Sequence, residues 1–309
     1  MSKLQAYTKS MLCMGTIISI KVIASPNSEK NVHNDLEKVS TIFRQVESIA
    51  SRFSPDSEVM SLLEKNGKPA RVSPFLFEMT RFALQIAEAT DGVYDPTIGN
   101  QMEKSGFNRH YLTNRIQQTA LSTSPTTYKD VILYPELGAI QLQKPLILDF
   151  GSIAKGFAVD VAVKALSFYE GVMIDAGGDV FVRGRNERRE LWKVGIKHPI
   201  EKDRPLAVLN VTDVAICTSG SYERKSAHDT SFHHIQFPKG SSPNELISCT
   251  VVAPFGMMAD SLSTASFLLG YKKAKKLLQE LQVEGLFITP SLHIYKTDRM
   301  EAYVDEYKL

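Results

Sequence analysis

Apolar positions recur along this chain with two different periods, and the period changes mark the elements. Leu36, Val39, Phe43, Val46 and Ile49 return at steps of three and four, which predicts a helix with one apolar face over about 33–50. Residues 16–23, Thr-Ile-Ile-Ser-Ile-Lys-Val-Ile, read as a strand. Ser73-Pro74 is a helix opening, with Ser as N-cap and Pro in the first turn, and the helix runs to about Thr90, where Asp91-Gly92 stops it. Residues 108–130 are polar and irregular, a surface excursion. Strands are expected at 130–134, 139–143 and 145–149, then a helix from near Ala154 to about Tyr169. Further strand signals fall at 171–175, 179–183, 191–197, 206–211, 214–217, 232–237 and 247–253. Helices fit 258–269 and 271–281, and strands 285–289 and 292–296. The stretches 220–231 and 238–246 read as long loops, of a length that is usually functional or mobile. Strands in neighbouring pairs with helices between the groups predict an α+β fold with a largely antiparallel sheet. No repeat or low-complexity linker appears, and the length of 309 residues allows one large domain or two smaller ones.

Charge narrows the partners. Lys and Arg total 36 against 34 acidic residues, a formal +2, so nothing points to nucleic acid. No segment approaches the roughly 20 apolar residues of a membrane span. The N-terminus is polar and lacks an apolar run of signal length, which favours the cytoplasm. Cys13, Cys217 and Cys249 show no metal spacing and cannot all pair, so reduced, buried thiols are expected.

Several short constellations carry candidate chemistry. Asp260 and Thr264 stand four residues apart within Ala259-Asp-Ser-Leu-Ser-Thr264, and on a helix that spacing puts carboxylate and hydroxyl on one face. Such a pair is a partial oxygen shell for Mg²⁺; the plain alternative is that Asp260 caps the helix and Thr264 bonds within it. Asp149-Phe-Gly-Ser-Ile-Ala-Lys155-Gly156 carries a strand into a turn and a helix start, where amides and an ammonium can meet phosphate; a capping turn with a surface lysine is the alternative. It is neither a Walker loop nor a dinucleotide fingerprint. Asp175-Ala-Gly-Gly-Asp179 reads as a tight hairpin turn. Tyr94, in Asp91-Gly-Val-Tyr-Asp95, can line a ring pocket or simply sit in the core. Thr218-Ser219-Gly220 offers hydroxyls to an anion or makes a plain turn. His233 and His234 would point to opposite faces of a strand, so one of them at most serves a site, as base or phosphate ligand.

Taken in order, these blocks resemble one family. Met14-Gly15-Thr16, Ser51-Arg-Phe-Ser-Pro-Asp-Ser57-Glu58, Thr90-Asp-Gly-Val-Tyr-Asp-Pro-Thr97 and Leu148–Asp160 are followed by Asp175–Asp179, Thr218-Ser-Gly220, His233-His-Ile235 and Ala259–Thr264. Over about residues 14–270 the chain resembles the FAD:protein FMN transferases, the ApbE family. The resemblance implies a single T-fold-like α+β domain over residues 1–309, Mg²⁺, FAD as substrate, and a target flavoprotein whose Thr or Ser hydroxyl receives FMN while AMP leaves. By position in the matched motifs it implies Asp260, Thr264, Ser263 and the Ser152 carbonyl as metal ligands. It implies Met14, Phe53, Val93, Tyr94, Asp95, Asp149, Lys155 and Ile235 as FAD contacts, with Lys155 steadying phosphate and His234 taking the acceptor proton. A Mg²⁺-dependent FAD pyrophosphatase or a non-catalytic FAD-binding protein would use the same pocket. Two positions depart from the family pattern. Phe53 stands where tyrosine is frequent, and Phe237 follows His234-Ile-Gln where many members have aspartate; if that carboxylate orders the next loop in relatives, ordering here must come otherwise.

Overall fold

The computed structural model describes residues 3–65, 67–119, 125–201, 203–222 and 233–308. The chain opens with a hairpin of β1 (Gln5–Cys13) and β2 (Thr16–Ala24), then α1 (Glu29–Ala50) and a single turn, α2 (Glu58–Ser61). After β3 (Ala70–Arg71) comes α3 (Pro74–Ala89); Ser73 caps it by accepting from the Leu76 N–H. Asp91 and Gly92 both take positive φ, which ends that helix as the sequence foretold. Next are α4 (Gly99–Lys104), β4 (Val131–Tyr134), β5 (Ala139–Leu142) and α5 (Ala154–Ala165). The strands β6 (Gly171–Ala176), β7 (Val180–Gly184), β8 (Trp192–Lys197), β9 (Pro205–Val211), β10 (Val214–Gly220) and β11 (Ser248–Ala253) follow. The chain closes with α6 (Gly256–Leu269), α7 (Tyr271–Glu280), β12 (Glu284–Ile288), β13 (Ile294–Lys296) and β14 (Val304–Tyr307).

An eight-stranded antiparallel sheet runs β1-β2-β6-β7-β10-β11-β12-β13. One face carries α1, α5 and α6, with α6 lying on β10 and β11. Phe43 and Val46 of α1, Phe157 and Val159 of α5 and Leu262 and Phe267 of α6 fill the core on that side. The other face is covered by the small sheet β14-β9-β8, whose Trp192, Val194, Leu206 and Leu209 pack on Val182, Ile216 and Val252. Covering both faces explains why β11 and β12 are buried at every residue, whereas β8 alternates strictly in and out. The third sheet, β3-β5-β4, is separate. The mixture of helix and antiparallel sheet is the α+β class expected. Among the described residues no helix is long and apolar enough to cross a membrane. The three cysteines are free and buried.

Four expectations fail. Residues 145–149 form no strand: Leu146, Ile147 and Leu148 are buried, but the segment threads beside α4, with the Gly99 N–H donating to the Ile147 carbonyl and the Asp149 N–H to that of Pro96. Residues 233–237 show only a bridge at His233 and then irregular backbone, and residue 232 lies outside the described residues. The helix at 154 stops at Ala165 rather than near Tyr169. Thr218-Ser219-Gly220 is the end of β10, not a turn. The periodicity also missed β1, where Thr8, Lys9 and Ser10 dilute the alternation although the strand pairs with β2 along its whole length. Of the expected loops, residues 223–232 lie outside the description, as do 120–124 of the 108–130 excursion.

Candidate functional site

The site forms where α5 and α6 cross at two glycines. A Cβ on Gly156 would stand 2.3 Å from the Gly256 carbonyl oxygen, and one on Gly256 would stand 2.7 Å from that of Gly156, so only glycine permits this approach. Asp160 of α5 accepts from the Gly256 and Met257 N–H groups and so caps α6 across the crossing. That removes the capping alternative for Asp260, which sits in the second turn of α6, 3% exposed, and accepts from the Gly156 N–H at 3.2 Å. Burial, and after it the Asp179 charge, raises the Asp260 carboxyl above its usual range, against the pull of Lys155 and the Gly156 N–H.

Lys155 is not a surface lysine. Its Nζ pairs with Asp179 and lies 3.4 Å from Asp260 Oδ2. Burial by itself would lower the ammonium, but Asp179 and then Asp260 outweigh it and hold Lys155 above its ordinary value. Sequence reasoning missed Asp179. The Asp175–Asp179 stretch is the hairpin turn expected, with Gly177 and Gly178 at positive φ and the Gly178 N–H donating to Asp175 Oδ1. Its last residue nevertheless delivers a buried carboxylate to the site, and the carboxylate-glycine-glycine-carboxylate pattern was the available signal.

Ser219 was also missed as a site residue. Thr218 and Ser219 point to opposite faces of β10: Thr218 meets Thr250 Oγ1 at 2.8 Å, while Ser219 faces α6. Ser219 Oγ lies 2.8 Å from Ser263 Oγ and 2.9 Å from Thr264 Oγ1. Ser263 donates its proton to the Asp260 carbonyl, so its oxygen accepts from Ser219, and Ser219 in turn accepts from Thr264. This relay turns the lone pairs of Thr264 Oγ1 away from Ser219. The i, i+3 and i, i+4 spacing of Asp260, Ser263 and Thr264 thus gathers oxygens on one face, as the sequence implied.

The turn before α5 is braced from two sides. Tyr94, 4% exposed, places its hydroxyl 3.0 Å from Ser152 Oγ. Burial raises that phenol, and the charges of Asp149 and Asp260 add to the effect, which sets both carboxylates close to the ring's polar end. Asp149 accepts from Arg52 Nε at 2.5 Å and from the Gly151 N–H at 2.7 Å. Arg52 also donates to the Phe107 carbonyl and covers the Phe53 ring at 4.2 Å, leaving its buried Nη1 without a protein partner. The Asp95 carboxylate is spent on the Thr97 N–H and hydroxyl and the Tyr128 N–H, so a ligand contact from this residue falls to its main chain.

Met14 has φ +54, and its N–H donates to Glu47 Oε1. The adjoining Thr16 fills the space above Gly177, which places the β1–β2 turn against the turn that carries Asp179. Met14 and Val93 pack on the main core, and Ile235 belongs to it. The His233 ring is buried, 5.5 Å from the Phe267 ring, and burial lowers its basicity. Its Nδ1 accepts from the Ile235 N–H, so Nε2 carries the proton toward the Pro243 carbonyl. His233 is thus held structurally, and the adjoining His234 is half-buried. Phe237 packs against the core, and the following loop is ordered by main-chain bonds, Phe237 N–H to Ser241 O and Gly240 N–H to Phe237 O, in place of a carboxylate.

The donor set suits a hard cation. Asp179 and Asp260 share the Lys155 ammonium, so this buried array is one positive charge short, and the Ser263 hydroxyl donates to the Asp260 main-chain carbonyl. Among the described residues no group of three or more His, Cys, Asp or Glu is placed to hold a metal, so hydroxyl or main-chain oxygens would have to complete any shell at Asp260. Fold and site together define an α+β protein with a buried acidic cluster and adjoining hydroxyls at a helix crossing. Residues 14–287 match the sequence model of the ApbE family, somewhat beyond the span of the motifs. The FAD:protein FMN transferase of Treponema pallidum is 32% identical over 95% of this chain and 87% of its own length. That of Escherichia coli K12 is 27% identical over 84% and 78%. The ApbE protein of Thermotoga maritima superposes with a TM-score of 0.84 over 98% of this chain and all of its own, at 27% identity. The flavin transferase ApbE of Vibrio cholerae shares the fold, with a TM-score of 0.83 over 97% and 99% at 22% identity. The chain belongs to the ApbE family.

Proposed function

We propose that this enzyme transfers FMN from FAD to a threonine or serine hydroxyl of a target flavoprotein and releases AMP, with Mg²⁺ at Asp260. The observation that carries the proposal is the Asp260–Thr264 face of α6, closed against the 149–156 turn by the Gly156 N–H and supplied with hydroxyls by Ser219 and Ser263. Asp260, Thr264, Ser263 and the Ser152 carbonyl would hold the ion, which when bound neutralises pyrophosphate charge and steadies the departing AMP. Tyr94 holds the Ser152 turn in place, and Lys155 would supply positive charge to bound phosphates. Met14, Phe53, the Val93–Asp95 turn, Asp149 and Ile235 would line the flavin dinucleotide. The acceptor oxygen attacks the FMN phosphorus as the bond to the AMP oxygen breaks, and His234 receives the hydroxyl proton. Such a transfer needs positioning and charge balance more than covalent help from the protein.

The test is incubation with FAD, Mg²⁺ and a flavoprotein carrying an acceptor hydroxyl, followed by a denaturing gel. Flavin fluorescence that stays with the acceptor band is expected. Free FMN and AMP with an unlabelled acceptor would replace transfer by hydrolysis, and intact FAD would remove turnover altogether.

A further inference from the structure

Lys155 Nζ stands almost evenly between the two Asp260 oxygens, 3.5 Å from Oδ1 and 3.4 Å from Oδ2, while it makes its closer contact with Asp179. An ammonium placed in this way occupies the carboxylate face that a cation would use. We propose that Lys155 is a built-in counter-ion that competes with the divalent cation for Asp260, and that Asp179 is a positioning residue that weakens this competition by drawing the ammonium aside. The inference rests on Asp260 being a cation ligand, as proposed above.

The argument is one of charge and distance. A divalent ion bound to a carboxylate at about 2 Å repels an ammonium a few ångströms away, so the ammonium must withdraw from Asp260. Asp179 is buried, already touches Nζ, and can keep it. Asp179, Lys155 and Asp260 sum to one negative charge before the cation arrives and one positive charge afterwards. Without the Asp179 charge the metal-free set is neutral, and the ammonium is left to Asp260. With the Lys155 charge removed as well, the single negative charge returns.

The experiment titrates the purified chain with Mn²⁺, without FAD, and reads free Mn²⁺ by electron paramagnetic resonance. Asp179→Asn is expected to weaken binding about tenfold or more. Lys155→Met, which leaves two carboxylates uncompensated, is expected to tighten it by a similar factor. The decisive variant is Asp179→Asn/Lys155→Met, which buries fewer charges than the native chain and does not depend on Lys155→Met folding; its affinity is expected to return to within about threefold of wild type. A double variant as weak as Asp179→Asn, or an Asp179→Asn variant that binds normally, overturns the counter-ion inference while leaving the cation site in place. Wild-type binding that survives Asp260→Ala, or no binding at all, removes the cation reading and this inference with it.

Discussion

Gly156→Ala tests whether the helix crossing builds the site. The new methyl would meet the Gly256 carbonyl oxygen at 2.3 Å, its carbon at 2.5 Å and the Met257 nitrogen at 2.7 Å. These are backbone atoms, so α5 and α6 must part by about 1 Å to reach ordinary contact. The Gly156 N–H to Asp260 Oδ2 bond, already 3.2 Å, then lies beyond hydrogen-bond range. Forcing a methyl into a packed contact costs about 1–3 kcal/mol. Losing a bond to a charged acceptor adds about 1.5–3 kcal/mol. Alanine's better helix propensity offsets about 1 kcal/mol. The net loss is about 1.5–5 kcal/mol, which for a chain of this size lowers the melting temperature by about 2–8 °C. Urea and thermal unfolding measure the loss, and the flavin-transfer assay on the folded variant should show a fall of tenfold or more as Asp260 moves. A variant within about 0.5 kcal/mol of wild type with undiminished transfer would refute the reasoning.

Asp260→Ala should abolish transfer while circular dichroism and the unfolding midpoint stay near wild type, because relief of the buried Asp260 charge offsets the lost Gly156 N–H bond and Lys155 keeps its Asp179 partner; transfer that persists would discard the metal assignment. Asp149→Ala strands the buried Arg52 guanidinium with the Phe107 carbonyl and should cost about 3–5 kcal/mol in urea unfolding; a loss below about 1 kcal/mol would show the ion pair to be incidental. Burial pushes the Asp160 carboxyl up from 3.8 to about 6, against the Gly256 and Met257 N–H groups. The folded chain therefore retains a proton that the unfolded chain gives up, and this stabilisation, complete below about pH 4, is lost as pH rises to about 6, a change of about 3 kcal/mol. Wild-type stability relative to Asp160→Asn should fall by that amount between pH 4 and 7, and a flat difference would contradict it.

Much of the architecture was legible from local pattern. The three-and-four spacing from Leu36 to Ile49, the Ser73-Pro74 start and the Asp91-Gly92 stop all depend on a few neighbouring residues, and each stands as expected. The same holds for Asp260 and Thr264, whose common face follows from helix geometry alone, whereas Ser263 came only with the family resemblance. Burial is also written in the pattern, but the partner is not. Leu146, Ile147 and Leu148 are as apolar as a central strand, yet no ladder forms, because their neighbour is the entry to α4 rather than another strand. The same ambiguity affected 233–237, where His233 bonds to its own loop.

What the sequence by itself determined was therefore the α+β class, most of the elements, and the motif order that marks the family. Tertiary structure decided which side chains share a site: Asp179 from a hairpin turn, Ser219 from the end of β10, and Asp160 reaching across to cap α6 so that Asp260 is released from that task. The physical reason is that helix and strand periods are set by bonds within a few residues. The charge balance of a buried site is set by groups from separate elements, brought within a few ångströms only when the helices close on Gly156 and Gly256.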